Sequence, residues 1–331
     1  MSLSPIYPNP DFSDILILMY YFIVNRTGGS GRGKWTWKKV QKILNVKQIE
    51  YKAFFTGEDG SATEIAEQIS SINMGDADGD GEKKNLIVVG GDGTINEVLN
   101  GLPHFDDLRF GLVPTGSGND FARGIGIPKN TKKALHRILD SKSPKKIDLG
   151  RVRYDDGRSH YFGISSGLGL DAIVCKKALK SKMKKFLNKL GLGQAVYILL
   201  TIKTLFSMKT ENLRVSFDGG DEQIFAKTIF MAMMNFKAEG GGVKMCPDAK
   251  SDDGKLSVCL VHGVKKFQTF FLLPFLMAGK HGRFKGFELL ECKSAEINFD
   301  SPQTLHLDGE YGGEVSHVRF ESVESKLEIF A

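Results

Sequence analysis

The chain has 331 residues, 41% of them hydrophobic, and 45 lysines and arginines against 39 acids give a formal net charge of +6. That length exceeds what one hydrophobic core usually holds, so two domains are expected, and no segment reaches the ~18 uninterrupted apolar residues of a spanning helix. Cys175, Cys246, Cys259 and Cys292 are scattered, which excludes a paired metal spacing and reads as reduced thiols of a cytoplasmic protein.

Residues 1–14 carry three prolines and read as a poorly ordered leader. From residue 20 to 147 strand and helix alternate. Ile15 to Val24 is a ten-residue apolar run without a basic n-region, hence a strand with an extension before it and not a signal peptide. It opens on the small-residue turn Asn25-Arg26-Thr27-Gly28-Gly29-Ser30-Gly31. Trp35 to Leu44 has helical spacing, Tyr51 to Thr56 is a short strand, and Ser61 to Ile72 is an amphipathic helix with Ile65, Ala66 and Ile69 inward. Asp76 to Gly81 imitates the opening of a calcium loop, but the twelfth position is Ile87 where a bidentate glutamate is required. It reads as a solvated acidic loop.

Leu86 to Val89 is a buried strand that runs into Gly90-Gly91-Asp92-Gly93-Thr94-Ile95-Asn96-Glu97. The glycines let the backbone turn sharply and present bare N–H groups to an anion at the start of the next helix. A carboxylate such as Asp92 repels phosphates unless a divalent cation bridges the two, which points to magnesium. A lone Gly-x-Gly would be only a capped strand-to-helix turn. Here Leu112 to Arg123 repeats strand, turn and polar cap one unit further on, and the Asn25 turn is an earlier copy. Three such turns at the carboxyl ends of successive strands open on one edge of a parallel sheet, where ligands of these folds bind.

From Asp148 the pattern changes to short strands separated by Gly, Asp and Asn turns: Lys146 to Val152, Tyr161 to Ser165, Leu213 to Phe217, Thr228 to Asn235, Lys255 to Val261 and Ala295 to Asp300. This suggests an antiparallel sandwich or barrel. Asp252-Asp253-Gly254 is a competent hairpin turn, and Leu305-His306-Leu307-Asp308-Gly309-Glu310 is a strand ending in an acidic turn.

Together these residues resemble the bacterial diacylglycerol kinase and related lipid kinase family, which shares its catalytic domain with sphingosine and ceramide kinases and is more distantly similar to NAD kinases and phosphofructokinases. The resemblance covers nearly the whole chain from about Tyr20. Gly-Gly-Asp-Gly-Thr is common to the NAD kinases; Gly116 to Arg123, with Asn119-Asp120-Phe121-Ala122-Arg123, matches the second signature of the lipid kinase branch. The resemblance implies a nucleotide-binding α/β domain with a parallel sheet over residues 15–147. It implies a mainly antiparallel β-sandwich domain for the lipid over residues 148–317, and a segment 318–331 that returns to the first domain.

It further implies ATP across the three turns, with Asn25, Thr27, Gly28, Thr56, Gly90, Gly91, Asp92, Gly93, Thr94, Ile95, Asn96 and Ser117 around its phosphates and ribose. Thr56 suits a helix-capping role equally well. Asp92 would hold catalytic Mg2+, with Asp148 organising the metal's waters or serving as a turn former. Asp253, with the backbone carbonyls of Lys250 and Lys255, would hold a structural Mg2+. Lysines at those two positions depart from common members, and their charge weakens the expected site. Glu310 would be the general base that takes the proton from a lipid hydroxyl, and Asp308 belongs to the turn or supports it.

Lys176 to Leu190 holds seven lysines and no acid, interleaved with apolar residues at helical spacing. Such a run is usually a solvated face; its concentration in a chain of net charge +6 makes an anionic membrane surface the expected partner of Lys176, Lys177, Lys180, Lys182, Lys184 and Lys185, at ~1 kcal/mol per lysine. The enzyme is then cytoplasmic and peripheral to the inner face of the membrane. Phe267 to Met277 lines an acyl groove or fills a core, and the reading favours the core. Diacylglycerol, giving phosphatidic acid, is the leading acceptor; phosphatidylglycerol, monoacylglycerol, a sphingoid base or an undecaprenyl-type alcohol would use the same base and metal. Relatives are often homodimers, although no heptad pattern marks an interface. An NAD kinase and a non-enzymatic nucleic-acid binder are the competing readings. The second signature and the lysine segment argue against the former, and the absence of a reading module argues against the latter.

Overall fold

A strand covered on both faces must be apolar throughout, and Tyr20–Val24 (β1) is buried along its whole length. The computed structural model describes residues 19–72, 83–141, 143–180 and 193–330. Parallel pairing joins β1 to β2 (Tyr51–Phe55) and β3 (Lys84–Gly90), and β3 to β4 (Leu108–Pro114), in the order β4-β3-β1-β2. Alternate residues of β1 serve opposite layers. Tyr20, Phe22 and Val24 pack with Trp37, Val40 and Leu44 of α1 (Arg32–Val46) and with Leu135 and Ile138 of α5 (Thr131–Leu139). Tyr21 and Ile23 pack with Ile65 and Ile69 of α2 (Ala62–Ser70) and with Ile95, Val98 and Leu99 of α3 (Asp92–Gly101). The start of α2 is fixed by a reciprocal cap: Ser61 Oγ accepts from Glu64 N, and Glu64 Oε2 accepts from Ser61 N at 2.7 Å. A short helix, α4 (Asp120–Gly124), follows the turn after β4.

The second domain is built from β5 (Lys145–Arg153), β6 (Ser159–Phe162), β7 (Ser165–Gly169), β8 (Glu211–Phe217), β9 (Gln223–Thr228), β10 (Phe230–Met234), β11 (Leu256–Val261), β12 (Phe287–Cys292), β13 (Ser294–Leu307) and β14 (Glu310–Ile329). Its ladders are antiparallel in the order β12-β11-β10-β7-β13-β14, with β5 on β14 and β8 on β13. β14 leaves that domain at its far end. Ile329 lies opposite Phe110 of β4, Phe330 N donates to Phe110 O at 2.9 Å, and Glu328 pairs with Lys83 and Arg109 at 2.6 and 3.0 Å. The last residues thus complete the first domain's core, and the two domains share one continuous strand.

Among the described residues, α-helices α6 (Leu170–Lys180), α7 (Gly193–Ser207) and α8 (Lys266–Met277) interrupt the β-rich half. The core role favoured for Phe267 to Met277 holds on one face only, where Leu276, Phe270, Leu272 and Leu273 pack against the core of β10 and β11, and is corrected for the other. Only Thr269 and Leu276 of α8 are buried, whereas Phe267 is 63% and Phe271 56% exposed. A helix apolar all round needs cover on every side, and α8 receives it on one. Residues 1–14, the acidic stretch Asp76 to Gly81, and Lys182, Lys184 and Lys185 lie outside the described residues.

Candidate active site

The three glycine turns meet at the carboxyl edge of the parallel sheet. Asn25 gathers the first: its Oδ1 accepts from Gly28 N at 2.8 Å and from Thr27 Oγ1 at 3.0 Å, and its Nδ2 donates to Thr94 Oγ1 at 2.9 Å, in the second turn. Arg32 joins the first turn to the third, donating to Gly29 O and Gly116 O at 2.9 Å each. Contact this close requires bare backbone. Gly29 is left-handed, and a Cβ there would stand 1.9 Å from Thr115 O; one on Gly91 would stand 3.0 Å from Gly116 Cα. Thr56 stands half-buried just past β2, its N–H on Val24 O, and Ser117 is exposed at the tip of the third turn. The structure therefore brings Asn25, Thr27, Gly28, Thr56, the turn from Gly90 to Thr94 and Ser117 to one edge, whereas Ile95 is a core residue packed with Tyr21 and Ile23, and Asn96 is buried with its amide on Asp308, so these two expected nucleotide contacts are corrected.

Asp92 opens α3 and ties two turns together. Its Oδ2 accepts from Asp120 N and its Oδ1 from Phe121 N, both at 3.1 Å, so it caps α4. Burial pushes its carboxyl up, opposed by those backbone donors and by the Arg123 charge. Asp120, 6% exposed, faces it: Oδ2 of each carboxylate lies 3.1 Å from the point a Cβ on Gly118 would occupy. Asp120 also accepts from Gly241 N of the second domain at 2.8 Å and pairs with Arg123. Sequence reasoning used Asn119-Asp120 only to recognise the family and missed Asp120 as a site residue; its place at the first position of a helix after a glycine turn, like Asp92, was the available signal.

Across the cleft, Glu310 begins β14 with its side chain exposed, and its Oε1 lies 3.0 Å from where a Cβ on Gly93 would sit. The second domain thereby sets a carboxylate against the first turn of α3, beside Asp92. The cleft there encloses about 520 Å³ between Gly93, Asn96, Arg158, His160, Glu310 and Tyr311. Burial and the nearby Arg158 charge hold His160 below the usual imidazole range.

The turn carrying Glu310 is anchored by its neighbour Asp308. That residue is left-handed (φ 51°), and its carboxylate accepts from Gly163 N, Ile164 N, Ser165 N and Asn96 Nδ2 at 2.7–3.0 Å. Burial pushes the carboxyl up and these four donors pull it down, with burial prevailing. Beneath the same turn, His306 Nε2 lies 3.1 Å from Asp171 Oδ2, and Nδ1 lies 3.3 Å from Gly309 N. Among the described residues, Asp171, Glu239 and His306 form the one group of His, Cys, Asp and Glu side chains close enough to share an ion. The Asp171 contact already occupies Nε2.

Burial alone would lower the His306 pKa, but the hydrogen bond to Asp171 and the charges of Asp171, Glu239 and Asp308 carry it up to about 9. A histidine whose folded pKa exceeds its unfolded value of about 6.5 stabilises the fold fully below that pH and loses the contribution as pH rises through the folded value. The melting temperature is therefore expected to fall between pH 7 and 9.5, and to fall less in His306→Gln; equal slopes by calorimetry would contradict this.

Asp148 is 1% exposed on β5. Its Oδ2 accepts from Gly254 N and its Oδ1 from Ser325 N, both at 2.7 Å, and its own N–H reaches Ser251 O at 2.6 Å. It clamps the turn that holds Asp253, whose Oδ1 accepts from Lys255 N at 3.1 Å. The Lys255 ammonium points outward to Glu291 at 3.0 Å, so part of the positive charge expected to weaken that loop is paired elsewhere. Asp148 and Asp253 thus lie together at one clamped turn.

Comparison with known proteins decides the family. Residues 19–152 match the model of the diacylglycerol kinase catalytic domain, and residues 164–331 match that of the YegS C-terminal NAD kinase beta sandwich-like domain. The chain is 31% identical over 314 residues to YtlR of Bacillus subtilis, named as a candidate lipid kinase, covering 94% of this chain and 98% of that one. The chain belongs to the diacylglycerol kinase family. As a member it is a kinase that transfers phosphate to a hydroxyl acceptor. It is also 28% identical over 310 residues to a Staphylococcus aureus diacylglycerol kinase, covering 93% of this chain and 91% of that one. A candidate diacylglycerol kinase from Bacillus anthracis has the same fold, with a TM-score of 0.72 at 22% identity over 95% of this chain and 97% of that one. An NAD kinase from Archaeoglobus fulgidus, solved with ATP, aligns at a TM-score of 0.50 and 12% identity, covering 95% of this chain and 94% of that one.

Proposed function

We propose that this kinase moves the γ-phosphoryl group of ATP to the hydroxyl of diacylglycerol, forming phosphatidic acid, with Glu310 as general base. The observation that carries the reading is the approach of Glu310 to Gly93, which sets a carboxylate from the second domain beside the phosphate-binding turns of the first.

The cradle fits a triphosphate. Bare glycines at the convergence of three strand ends leave backbone N–H groups and a helix start facing the cleft, and Asn25 and Arg32 lock the turns against one another. The donor set also fits magnesium, since two carboxylates, Asp92 and Asp120, face one point over Gly118, and phosphate oxygens and water complete such a site. Bound there, the ion neutralises the developing phosphoryl charge. A structural Mg2+ at Asp253 with the carbonyls of Lys250 and Lys255 remains part of the proposal; Asp148 would act there by holding the loop.

Asn25, Thr94 and the turn N–H groups orient the triphosphate, and Glu310 takes the acceptor's proton as the acceptor oxygen attacks the γ-phosphorus in line and the bond to the β–γ bridging oxygen breaks, releasing ADP. Asp308 and His306 hold the Glu310 turn. Acceptors such as phosphatidylglycerol or a sphingoid base would use the same groups.

Gly93→Ala tests the position of the base. Alanine is favoured over glycine in a helix by roughly 0.5–1 kcal/mol, so stability should hold or rise. The added methyl would press on Glu310 and lower kcat by roughly 10–100-fold. An unchanged kcat would remove Glu310 from the reacting position.

A further inference from the structure

We propose that α7 and α8 form a membrane-docking face in which exposed aromatic side chains enter the surface of an anionic bilayer and the surrounding lysines and arginine hold its head groups. On α8, Phe267 and Phe271 meet edge to face one turn apart with ring centroids 4.7 Å apart, and Phe275 and Met277 continue the exposed face at 37% and 49%. On α7, Leu199 is 61% and Phe206 50% exposed, and Phe206 meets Phe270 of α8 at 6.1 Å, so the two helices present one apolar surface. Contiguous apolar exposure of this kind marks an interaction site. No helix among the described residues is long and apolar enough to cross a membrane, which leaves helices lying on it.

Charge selects the occupant. Between Asp171 and Glu211 the sequence has nine lysines and no acid, and between Asp253 and Glu288 it has six cations and no acid. Lys203, Lys265, Lys280, Arg283 and Lys285 are exposed around the apolar face. Arg283 stacks over Phe275 and Phe284 at 5.3 and 5.2 Å, which places a cation at the rim of the aromatic ridge. A second copy docking face to face would bring two basic rims together, whereas an anionic bilayer satisfies both the rings and the rim. The face also connects with the cleft. Lys176 of α6 pairs with Glu314 at 2.5 Å and lies over the Tyr311 ring at the cleft wall, and Lys177 reaches Thr204 of α7 at 3.0 Å. Docking on this face would set the cleft mouth near the lipid from which, on the lipid kinase reading that this inference rests on, the acceptor comes.

The test compares wild type with the double variant Phe267→Ser, Phe271→Ser, both positions being exposed enough to change without loss of core. Binding is measured by flotation on vesicles of phosphatidylcholine with and without phosphatidylserine, and kinase activity on dispersed short-chain diacylglycerol is followed in parallel. Wild type should bind only the anionic vesicles and lose binding as salt rises. The variant should bind them at least tenfold more weakly, with unchanged short-chain activity and elution volume. Equal binding by the two proteins, or a changed elution volume with unchanged vesicle binding, would overturn the membrane assignment. Loss of short-chain activity in wild type would instead count against the kinase reading and leave the vesicle result to be judged by itself.

Discussion

Glu310→Gln is expected to lower turnover by roughly 10²–10⁴-fold, the range for a positioned general base, with the melting temperature unchanged. The side chain is exposed at the start of β14, and surface substitutions of this kind usually shift stability by no more than about 0.5 kcal/mol. Asp92→Ala should behave differently. It removes the acceptor of the Asp120 and Phe121 N–H groups, so lost turnover should come with about 1 kcal/mol of lost stability from the missing cap. Steady-state kinetics beside thermal denaturation of the two variants separates the roles. A stable Glu310→Gln enzyme with near-normal kcat would take that residue out of the mechanism.

The largest effect on stability is expected at Asp308. Its carboxylate serves three consecutive backbone N–H groups and Asn96, and asparagine can replace only one of the two oxygens. The new amide nitrogen would face donors, either Gly163 N and Asn96 Nδ2 or Ile164 N and Ser165 N. A buried donor left without an acceptor costs about 1–3 kcal/mol, so Asp308→Asn should destabilise by about 2–6 kcal/mol. The left-handed backbone is no obstacle, since asparagine tolerates it. Urea unfolding gives the value directly; a loss below 1 kcal/mol would mean that the clamp is not what seats the Glu310 turn.

Much of the first domain was legible in the sequence because its signals are local. Tyr20 to Val24 and Leu86 to Val89 are apolar throughout as doubly covered strands must be, and Gly90 to Thr94 needs its glycines for the contact with Gly116. The second domain was harder to read. β14 is one strand serving two domains, and no local pattern in Glu310 to Ile329 announces that its end pairs with β4. The Phe267 to Met277 helix reads as core by composition, because composition records how apolar a segment is and not whether a neighbour covers it. Asp92 and Glu310 were legible as chemistry, while the approach of Glu310 to Gly93, the residue after Asp92, depends on how the domains pack. The Asp120–Gly241 and His306–Asp171 contacts required the fold, since each joins residues far apart in the chain.

The central claim is transfer from ATP to a lipid hydroxyl. Its most direct test follows the label of γ-labelled ATP with magnesium and mixed micelles of diacylglycerol, phosphatidylglycerol and sphingosine, with NAD in a parallel reaction and Glu310→Gln as control. The account predicts label in phosphatidic acid and almost none in the control. Label in NADP with none in any lipid would contradict it.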